Sequence, residues 1–213
     1  MESEVTDKYQ ITADTFSRLA QRYQERFLEW PPYAQSYEWL LAEMAATDVR
    51  LLDVACGPGS LGLYLKRRRP ELQITGTDLA PGMLALARGN IPDGEFLLKD
   101  SRDIATLEGQ FDLCCCGFGL PYLDGTDLER FIAGAHDKLR PGGLLYLSTM
   151  EGEPERSGWQ TSSSGDSVFI HYHRGAELQA LLEQQGFTVF KQFRQASTNG
   201  DTDLFIFARR CLS

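Results

Sequence analysis

The chain has 213 residues, of which 42% are hydrophobic and 24% are charged, the composition of an ordinary globular domain. A single domain of this length buries about 70% of the surface of its unfolded chain. The formal net charge is −9, and because nucleic-acid binders usually carry a basic surface, this balance disfavours a nucleic-acid partner. The one compact basic cluster, residues 66–69, lies at the end of a predicted helix, where it complements the helix dipole.

The cysteines and the hydropathy pattern predict a reduced protein of the cytoplasm. No C-x-x-C pair is present and three cysteines are consecutive, so we expect neither a metal site nor a disulfide framework. The sequence contains no signal peptide and no apolar run of membrane-spanning length, so we expect no membrane partner. The five cysteines are Cys56, Cys114, Cys115, Cys116 and Cys211.

Two helices are predicted at the start of the chain, after a polar and loose segment at residues 1–8. Apolar residues recur at helical spacing from Gln10 to Leu28, and again from Tyr33 to Ala46. Trp30-Pro31-Pro32 separates the two helices, because proline lacks an N–H group and restricts the residue before it. Both helices precede the first predicted strand, so we expect them to form a cap.

Strands and helices then alternate, which predicts parallel βαβ units with both faces of the sheet covered. Proline near the start of the helix at residues 81–88 suits a helix N-terminus. The predicted strands are Val49–Ala55, Leu72–Thr77, Glu95–Leu98, Phe111–Cys116 and Leu144–Met150. The predicted helices are Leu61–Arg69, Pro81–Arg88 and Asp127–Leu139, the last ending at Arg140-Pro141-Gly142-Gly143.

The last third of the chain departs from this alternation. Residues 151–166 form a long polar connection with a lone Trp159, and connections of this length are often functional. A strand over Val168–His173 and a helix over Glu177–Gln185 follow. Two further strands are predicted over Phe187–Phe193 and Leu204–Arg209. The Asn199-Gly200 pair between these two strands favours a hairpin-like reversal.

The stretch from Leu51 to Gly62 carries the clearest functional signal. Its glycines have the spacing G-x-G-x-x-G, which lets a backbone turn bring a nucleotide-like ligand against a helix N-terminus. Asp78 follows Gly57 by 21 residues, where a carboxylate can bind ribose hydroxyls in a dinucleotide or an S-adenosylmethionine protein. Asp53, just before the turn, would repel a pyrophosphate and attract an ammonium group, which favours the second cofactor.

These motifs together resemble the class I S-adenosylmethionine-dependent methyltransferases. The resemblance rests on Leu51–Gly62, on Ile74–Leu84, on Phe111-Asp112-Leu113 and on Leu139–Gly143, in this order. It implies an α/β fold, a Rossmann-like three-layer sandwich. A mostly parallel seven-stranded sheet with an antiparallel C-terminal strand and an N-terminal helical cap are expected. Residues 1–45 would form the cap, as part of the same domain, and residues 46–213 the cofactor-binding part.

The resemblance also implies which residues bind the cofactor. The turn residues would hold its methionine end, Asp78 its ribose hydroxyls, and Asp100 its adenine amino group. Leu79 and Met83 would pack on the adenine, and residues 116–118 would lie beside the sulfonium. Tyr23 is the predicted contact from the cap. The full predicted set is Tyr23, Asp53, Ala55, Cys56, Gly57, Gly59, Asp78, Leu79, Met83, Asp100, Ser101, Cys116, Gly117 and Phe118.

Methyl transfer needs a general base only where the acceptor must lose a proton. The candidates are Tyr122, His171 and His173, and the two histidines would share one side of a strand. We expect a small-molecule acceptor that reacts at oxygen, nitrogen or carbon, and a monomer or a homodimer. A nicotinamide-dependent oxidoreductase and a non-catalytic S-adenosylmethionine-binding protein remain alternatives at this point.

Overall fold

The structure is a computed structural model that describes residues 7–29, 31–162, 164–197 and 200–212. Three predicted features lie wholly or partly outside these residues: the loose start of the chain, the helix break at Trp30 and the turn at Asn199. Within the described part, Asp7 caps the first helix by accepting hydrogen bonds from the backbone N–H groups of Tyr9 and Gln10.

A seven-stranded sheet forms the centre of the fold. Its strands are β1 (Arg50–Val54), β2 (Gln73–Asp78), β3 (Glu95–Leu98), β4 (Phe111–Gly117), β5 (Leu139–Glu151), β8 (Phe187–Ala196) and β9 (Thr202–Arg210), while β6 (Gly158–Thr161) and β7 (Ser167–Ile170) lie outside this sheet. The order in the sheet is β3-β2-β1-β4-β5-β9-β8, and β9 runs antiparallel to both of its neighbours. The other pairings are parallel, which confirms the predicted sheet.

Helices cover both faces of this sheet and complete three layers. They are α1 (Lys8–Phe27), α2 (Pro31–Glu43), α3 (Ser60–Lys66), α4 (Pro81–Asn90), α5 (Gly125–Lys138) and α6 (Gly175–Gln184). Alternate residues of β4 face opposite layers: Cys114 and Cys116 pack toward α5 and α6, and Cys115 toward α2, α3 and α4. These three cysteines are fully buried free thiols. The helices on both faces of the sheet confirm the predicted three-layer fold. Among the described helices, none has the length and apolar composition that a membrane span requires.

The segment before the core of β5 differs from the prediction. Arg140–Gly143 is predicted to end the preceding helix, with the next strand beginning at Leu144, but β5 already begins at Leu139, with a shift of register against β4. The guanidinium group of Arg140 explains the difference, because it lies 2.5 Å from Asp48 Oδ1 and 2.6 Å from Asp112 Oδ1. These ion pairs tie the segment to the starts of β1 and β4.

The long connection after β5 also contains structure that the sequence did not predict. Strand β6 pairs antiparallel with β7 in a separate two-stranded hairpin. The predicted strand over Val168–His173 ends at Ile170, because the backbone N–H of His171 donates to the carbonyl oxygen of Pro121 at 2.7 Å. Trp159 lies on this hairpin, is 46% exposed, and contacts Phe169 edge to face.

Helix α1 lies against α4 at the carboxyl ends of the strands. The Ser17 hydroxyl oxygen accepts a hydrogen bond from the backbone N–H of Gly82 at 2.8 Å, and the Asn90 amide donates to Gln24 Oε1 at 2.7 Å. A Cβ atom on Gly82 would overlap the carbonyl oxygen of Ser17. The close approach of the two helices therefore depends on glycine at this position.

Substitution of Gly82 by Ala should loosen α1. The added methyl group must displace the Ser17 backbone, so we expect the free energy of unfolding to fall by about 1–3 kcal/mol in urea titrations. Gly89→Ala is the control on the same helix, because a Cβ there meets no atom within 4 Å. That variant should be neutral or more stable by up to about 1 kcal/mol. Equal stabilities of the two variants would contradict the proposed contact.

Candidate active site

The turn that follows β1 has an unusual backbone. Ala55, Gly57 and Gly59 all adopt left-handed conformations, with φ angles of 52°, 54° and 82°. This conformation costs little in glycine, but it strains alanine. Gly59 is also the N-cap residue of α3. The chain thus reverses from strand to helix in a short, defined turn, as the glycine spacing predicted.

Asp78 holds this turn in place from the end of β2. Its Oδ2 accepts a hydrogen bond from the backbone N–H of Gly57 at 2.8 Å, and its Oδ1 accepts one from Ala80 at 2.8 Å. The second bond fixes the residue before α4, so Asp78 also anchors the start of that helix. Burial raises the pKa of Asp78, although the backbone hydrogen bonds oppose this shift.

The end of β4 forms the opposite side of the site. Phe118 has a left-handed backbone with a φ of 57°, and its N–H donates to the Ser148 carbonyl oxygen at 3.0 Å. A Cβ atom on the next residue, Gly119, would lie 2.5 Å from Cys116 Sγ and 2.8 Å from the Ala55 Cβ. Glycine therefore permits the β1 and β4 turns to approach each other closely.

The strand ends and α1 together line a cavity, the kind of concave site in which proteins bind small molecules. Ten of the predicted cofactor residues line this cavity, together with the predicted catalytic residue Tyr122. The ten are Tyr23, Ala55, Gly57, Asp78, Leu79, Met83, Asp100, Ser101, Gly117 and Phe118. The structure therefore brings together residues from the ends of β1, β2, β3 and β4 that are far apart in the sequence.

Four predicted cofactor residues lie behind the cavity wall: Asp53, Cys56, Gly59 and Cys116. Asp53 is 2% exposed and points from β1 toward the backbone of Gly62 in α3. Burial raises its pKa to about 7. The sequence could not place this side chain, because its depth depends on how α3 packs on β1.

Asp100 lines the cavity at the end of β3, where its carboxylate already has a strong partner. The guanidinium group of Arg102 binds it, with Nε 2.9 Å from Oδ1 and Nη2 2.5 Å from Oδ2. The backbone N–H of Arg102 donates to the same carboxylate at 2.8 Å. Lys99, also on the cavity wall, precedes this acid.

The three candidate catalytic residues separate into two groups. Tyr122 lines the cavity and contacts Phe16 edge to face at 5.2 Å. The histidines lie outside the lining: His171 accepts a hydrogen bond from Lys8 at 3.2 Å, and His173 donates to the Leu120 carbonyl oxygen at 3.2 Å. Burial lowers the pKa of His171 to about 4, and it lowers the pKa of His173 as well. Their ring centroids lie 6.5 Å apart with the ring planes inclined by 23°, and neither histidine lines the cavity.

Several lining residues come from α1, of which the prediction named only Tyr23. The additional residues are Tyr9, Thr12, Ala13 and Phe16. From Tyr9 they follow the i, i+3, i+4, i+7 pattern of one helix face, which they share with Tyr23. This spacing was visible in the sequence and Tyr23 was predicted from it, but the sequence did not show how far along α1 the cavity extends.

Comparisons with known proteins agree with this fold. A sequence model of the family described as "Methyltransferase domain" matches residues 51–143. An uncharacterized methyltransferase of Synechocystis sp. is 27% identical over 147 residues, which cover 67% of this chain and 68% of that protein. A demethylmenaquinone methyltransferase of Deinococcus radiodurans is 31% identical over 71% of this chain, and the match spans 64% of its length. The chain spans 46–64% of the demethylmenaquinone methyltransferases that it matches.

A solved structure with a similar fold is magnesium protoporphyrin IX methyltransferase from Synechocystis PCC 6803 with bound S-adenosylmethionine. Its TM-score is 0.75 at 17% identity, and the superposition covers 98% of this chain and 99% of that chain. The sheet order, the turn after β1 and the family match all indicate a methyltransferase fold. Residues 51–143 therefore match the methyltransferase domain family, and the whole chain has the fold of a known S-adenosylmethionine-dependent methyltransferase, in agreement with the predicted resemblance.

Proposed function

We propose that the cavity binds S-adenosylmethionine and that the chain transfers its methyl group to a small-molecule acceptor. One observation carries the proposal: nine residues predicted from the motifs that follow four strands, together with Tyr23 of α1, line one cavity. In open α/β sheets, ligands bind outside the carboxyl ends of the strands, where this cavity lies.

Asp78 is the proposed ligand of the ribose hydroxyls. Each of its oxygens accepts one backbone hydrogen bond, and an ionised carboxylate has about four acceptor sites in all. Both oxygens can therefore accept further hydrogen bonds. The backbone already holds the carboxylate in place. Leu79 and Met83 adjoin Asp78 on the cavity wall and offer apolar surface to an adenine ring.

The turn after β1 is the proposed site for the methionine end. Asp53 lies beneath this turn, and its Oδ2 is buried with no hydrogen-bond partner among the described residues. A buried carboxylate attracts a cationic group and repels a phosphate. This arrangement supports a ligand with an ammonium group and argues against the pyrophosphate of a nicotinamide cofactor.

The walls of the cavity support an acceptor with an apolar body. Phe16, Tyr23, Phe118 and Tyr122 supply aromatic surface, and α1 covers the site from above. Relatives of the chain are named as demethylmenaquinone methyltransferases, and a structural neighbour as a magnesium protoporphyrin IX methyltransferase. We infer a small molecule of mainly apolar character. The cytoplasmic location and the monomeric or homodimeric state stay predictions.

The cofactor, when bound, supplies a methyl group already activated by its sulfonium. The residues then need chiefly to align the acceptor with this methyl group and to exclude water. Burial raises the pKa of Tyr122 well above its ordinary value, so its hydroxyl stays protonated at neutral pH. We infer that Tyr122 donates a hydrogen bond to the acceptor rather than acting as a base.

Ligand-induced stabilisation tests the cofactor. S-adenosylhomocysteine at 100 times its dissociation constant should raise the free energy of unfolding by about 2.7 kcal/mol, and NAD should leave it unchanged. Asp78→Asn should weaken S-adenosylhomocysteine binding at least about tenfold, because a ribose ligand is lost. Asp93→Asn on the exposed surface is the matched control and should bind normally. Stabilisation by NAD alone would overturn the proposal.

The buried acid beneath the turn predicts a pH dependence of stability. Between about pH 4 and pH 7, folded Asp53 keeps a proton that the unfolded chain releases, so stability falls as the pH rises through this window. The loss amounts to at most about 4 kcal/mol. Asp53→Asn removes the titration, so the variant should gain stability relative to wild type as the pH rises from 4 to 7. Urea titrations across this range measure the difference, and a constant difference would contradict the buried acid.

Turnover tests the acceptor side. Release of S-adenosylhomocysteine should occur with at least one member of a panel of quinol, phenol, carboxylic acid and amine acceptors. Tyr122→Phe should lower kcat/KM about tenfold, the effect of one lost hydrogen bond, and leave S-adenosylhomocysteine affinity unchanged. His171→Gln should keep turnover, since this residue lies outside the cavity lining. The opposite result for these two variants would restore His171 as the base.

A further inference from the structure

The guanidinium group of Arg102 lies between the adenine end of the proposed cofactor site and the start of α1. Toward the site it binds the Asp100 carboxylate through both Nε and Nη2, while its backbone N–H binds Oδ1. The Asp100 side chain is thus fixed on both of its oxygens by one neighbouring residue. A carboxylate held in this way has one defined orientation.

The charge of Asp100 also depends on Arg102. Burial alone would raise the pKa of this carboxyl group, but the hydrogen bonds from Arg102 outweigh it and hold the pKa below its ordinary value. Asp100 is therefore ionised and can only accept hydrogen bonds. An ionised carboxylate on the cavity wall favours a ligand group that donates N–H.

On its other side, Arg102 supports the first turn of α1. Its guanidinium carbon lies 4.0 Å from the centre of the Tyr9 ring, and its Nη1 lies 3.4 Å from Asp127 Oδ2. The Tyr9 hydroxyl donates a short hydrogen bond to that same Asp127 oxygen. Tyr9 itself lines the cavity, so one guanidinium group contacts the adenine-end acid and the helix that covers the site.

We propose that Arg102 is a positioning residue that sets the specificity of the site for a 6-aminopurine. It fixes the Asp100 carboxylate to accept the exocyclic amino group of the adenine, and it joins this acid to the N-terminal helix through Tyr9. The proposal rests on the proposed function, because it assumes that the adenine lies at Asp100. A 6-oxopurine would place an oxygen against the same carboxylate and would be rejected.

The test compares two ligands by isothermal titration calorimetry on the full chain. S-adenosylhomocysteine carries the 6-amino group, and S-inosylhomocysteine has an oxygen in its place. Wild type should prefer the first ligand. Arg102→Gln should lower the affinity for S-adenosylhomocysteine about tenfold, because an oriented, charge-assisted hydrogen bond is lost. The affinity for S-inosylhomocysteine should change little, so the discrimination between the two ligands should largely disappear.

Three further variants separate a loss of ligand specificity from a general loosening of the site. Arg130→Gln removes an exposed guanidinium group that binds Asp103 near the same loop, and it should leave both affinities unchanged. Tyr9→Phe removes an anchor of α1 and should weaken both ligands by the same factor, preserving the discrimination. Rescue of discrimination by Arg102→Lys should be partial, because an ammonium group cannot bind both carboxylate oxygens as a fork.

The outcomes distinguish the two proposals. Equal weakening of both ligands by Arg102→Gln, or no weakening, overturns the role of Arg102 and leaves the proposed function intact. A wild-type chain that binds neither ligand overturns the proposed function itself, and with it the assignment of an adenine to Asp100. Loss of discrimination with normal unfolding free energy in urea supports the positioning role.

Discussion

The two hydrogen bonds accepted by Asp78 are the interaction on which the site depends. One carboxylate joins the turn after β1, through Gly57, to the start of α4, through Ala80. These two segments follow adjacent parallel strands, which are paired up to Val54 and Thr77. The backbone N–H of Cys56 also donates to the Thr77 carbonyl oxygen, but at Gly57 it is the Asp78 carboxylate that holds the left-handed turn to the β2 side. The residue proposed to bind ribose thus first builds the place where ribose would bind.

The opposite wall of the cavity also depends on the space that a glycine leaves for its neighbours. Gly119 has no side chain, and this allows the turn after β4 to approach both Cys116 and Ala55. The two left-handed residues other than glycine in the described chain, Ala55 and Phe118, are on the two sides of this approach and both line the cavity. Strain of this kind persists only where the surrounding structure holds it, and it concentrates at functional sites.

The sequence predicted the sheet and the strand-end residues because these follow from local signals. Strand–helix alternation gives the parallel order, and the ends of parallel strands share one edge, so Asp78 and Phe118 had to come together. The location of His171 could not be predicted, since it depends on the β6–β7 hairpin and on the hydrogen bond from Lys8, distant in the chain. The bond between Arg102 and Asp100 needed side-chain orientation, which spacing does not provide.

The acids that surround the proposed cofactor site differ in whether the protein itself neutralises their charge. Burial raises the pKa of Asp53 and of Asp78, so ionising either carboxyl group in the free protein costs free energy, and an uncharged ligand would not reduce that cost. A cationic ligand end lowers this cost, whereas a phosphate raises it. Asp100 differs because Arg102 already neutralises it, and this acid lies at the end proposed for the uncharged adenine. Unpaired acids at one end and a paired acid at the other match a ligand that is cationic at one end and neutral at the other. We infer that the proposed orientation of S-adenosylmethionine follows from which carboxylates have partners in the protein.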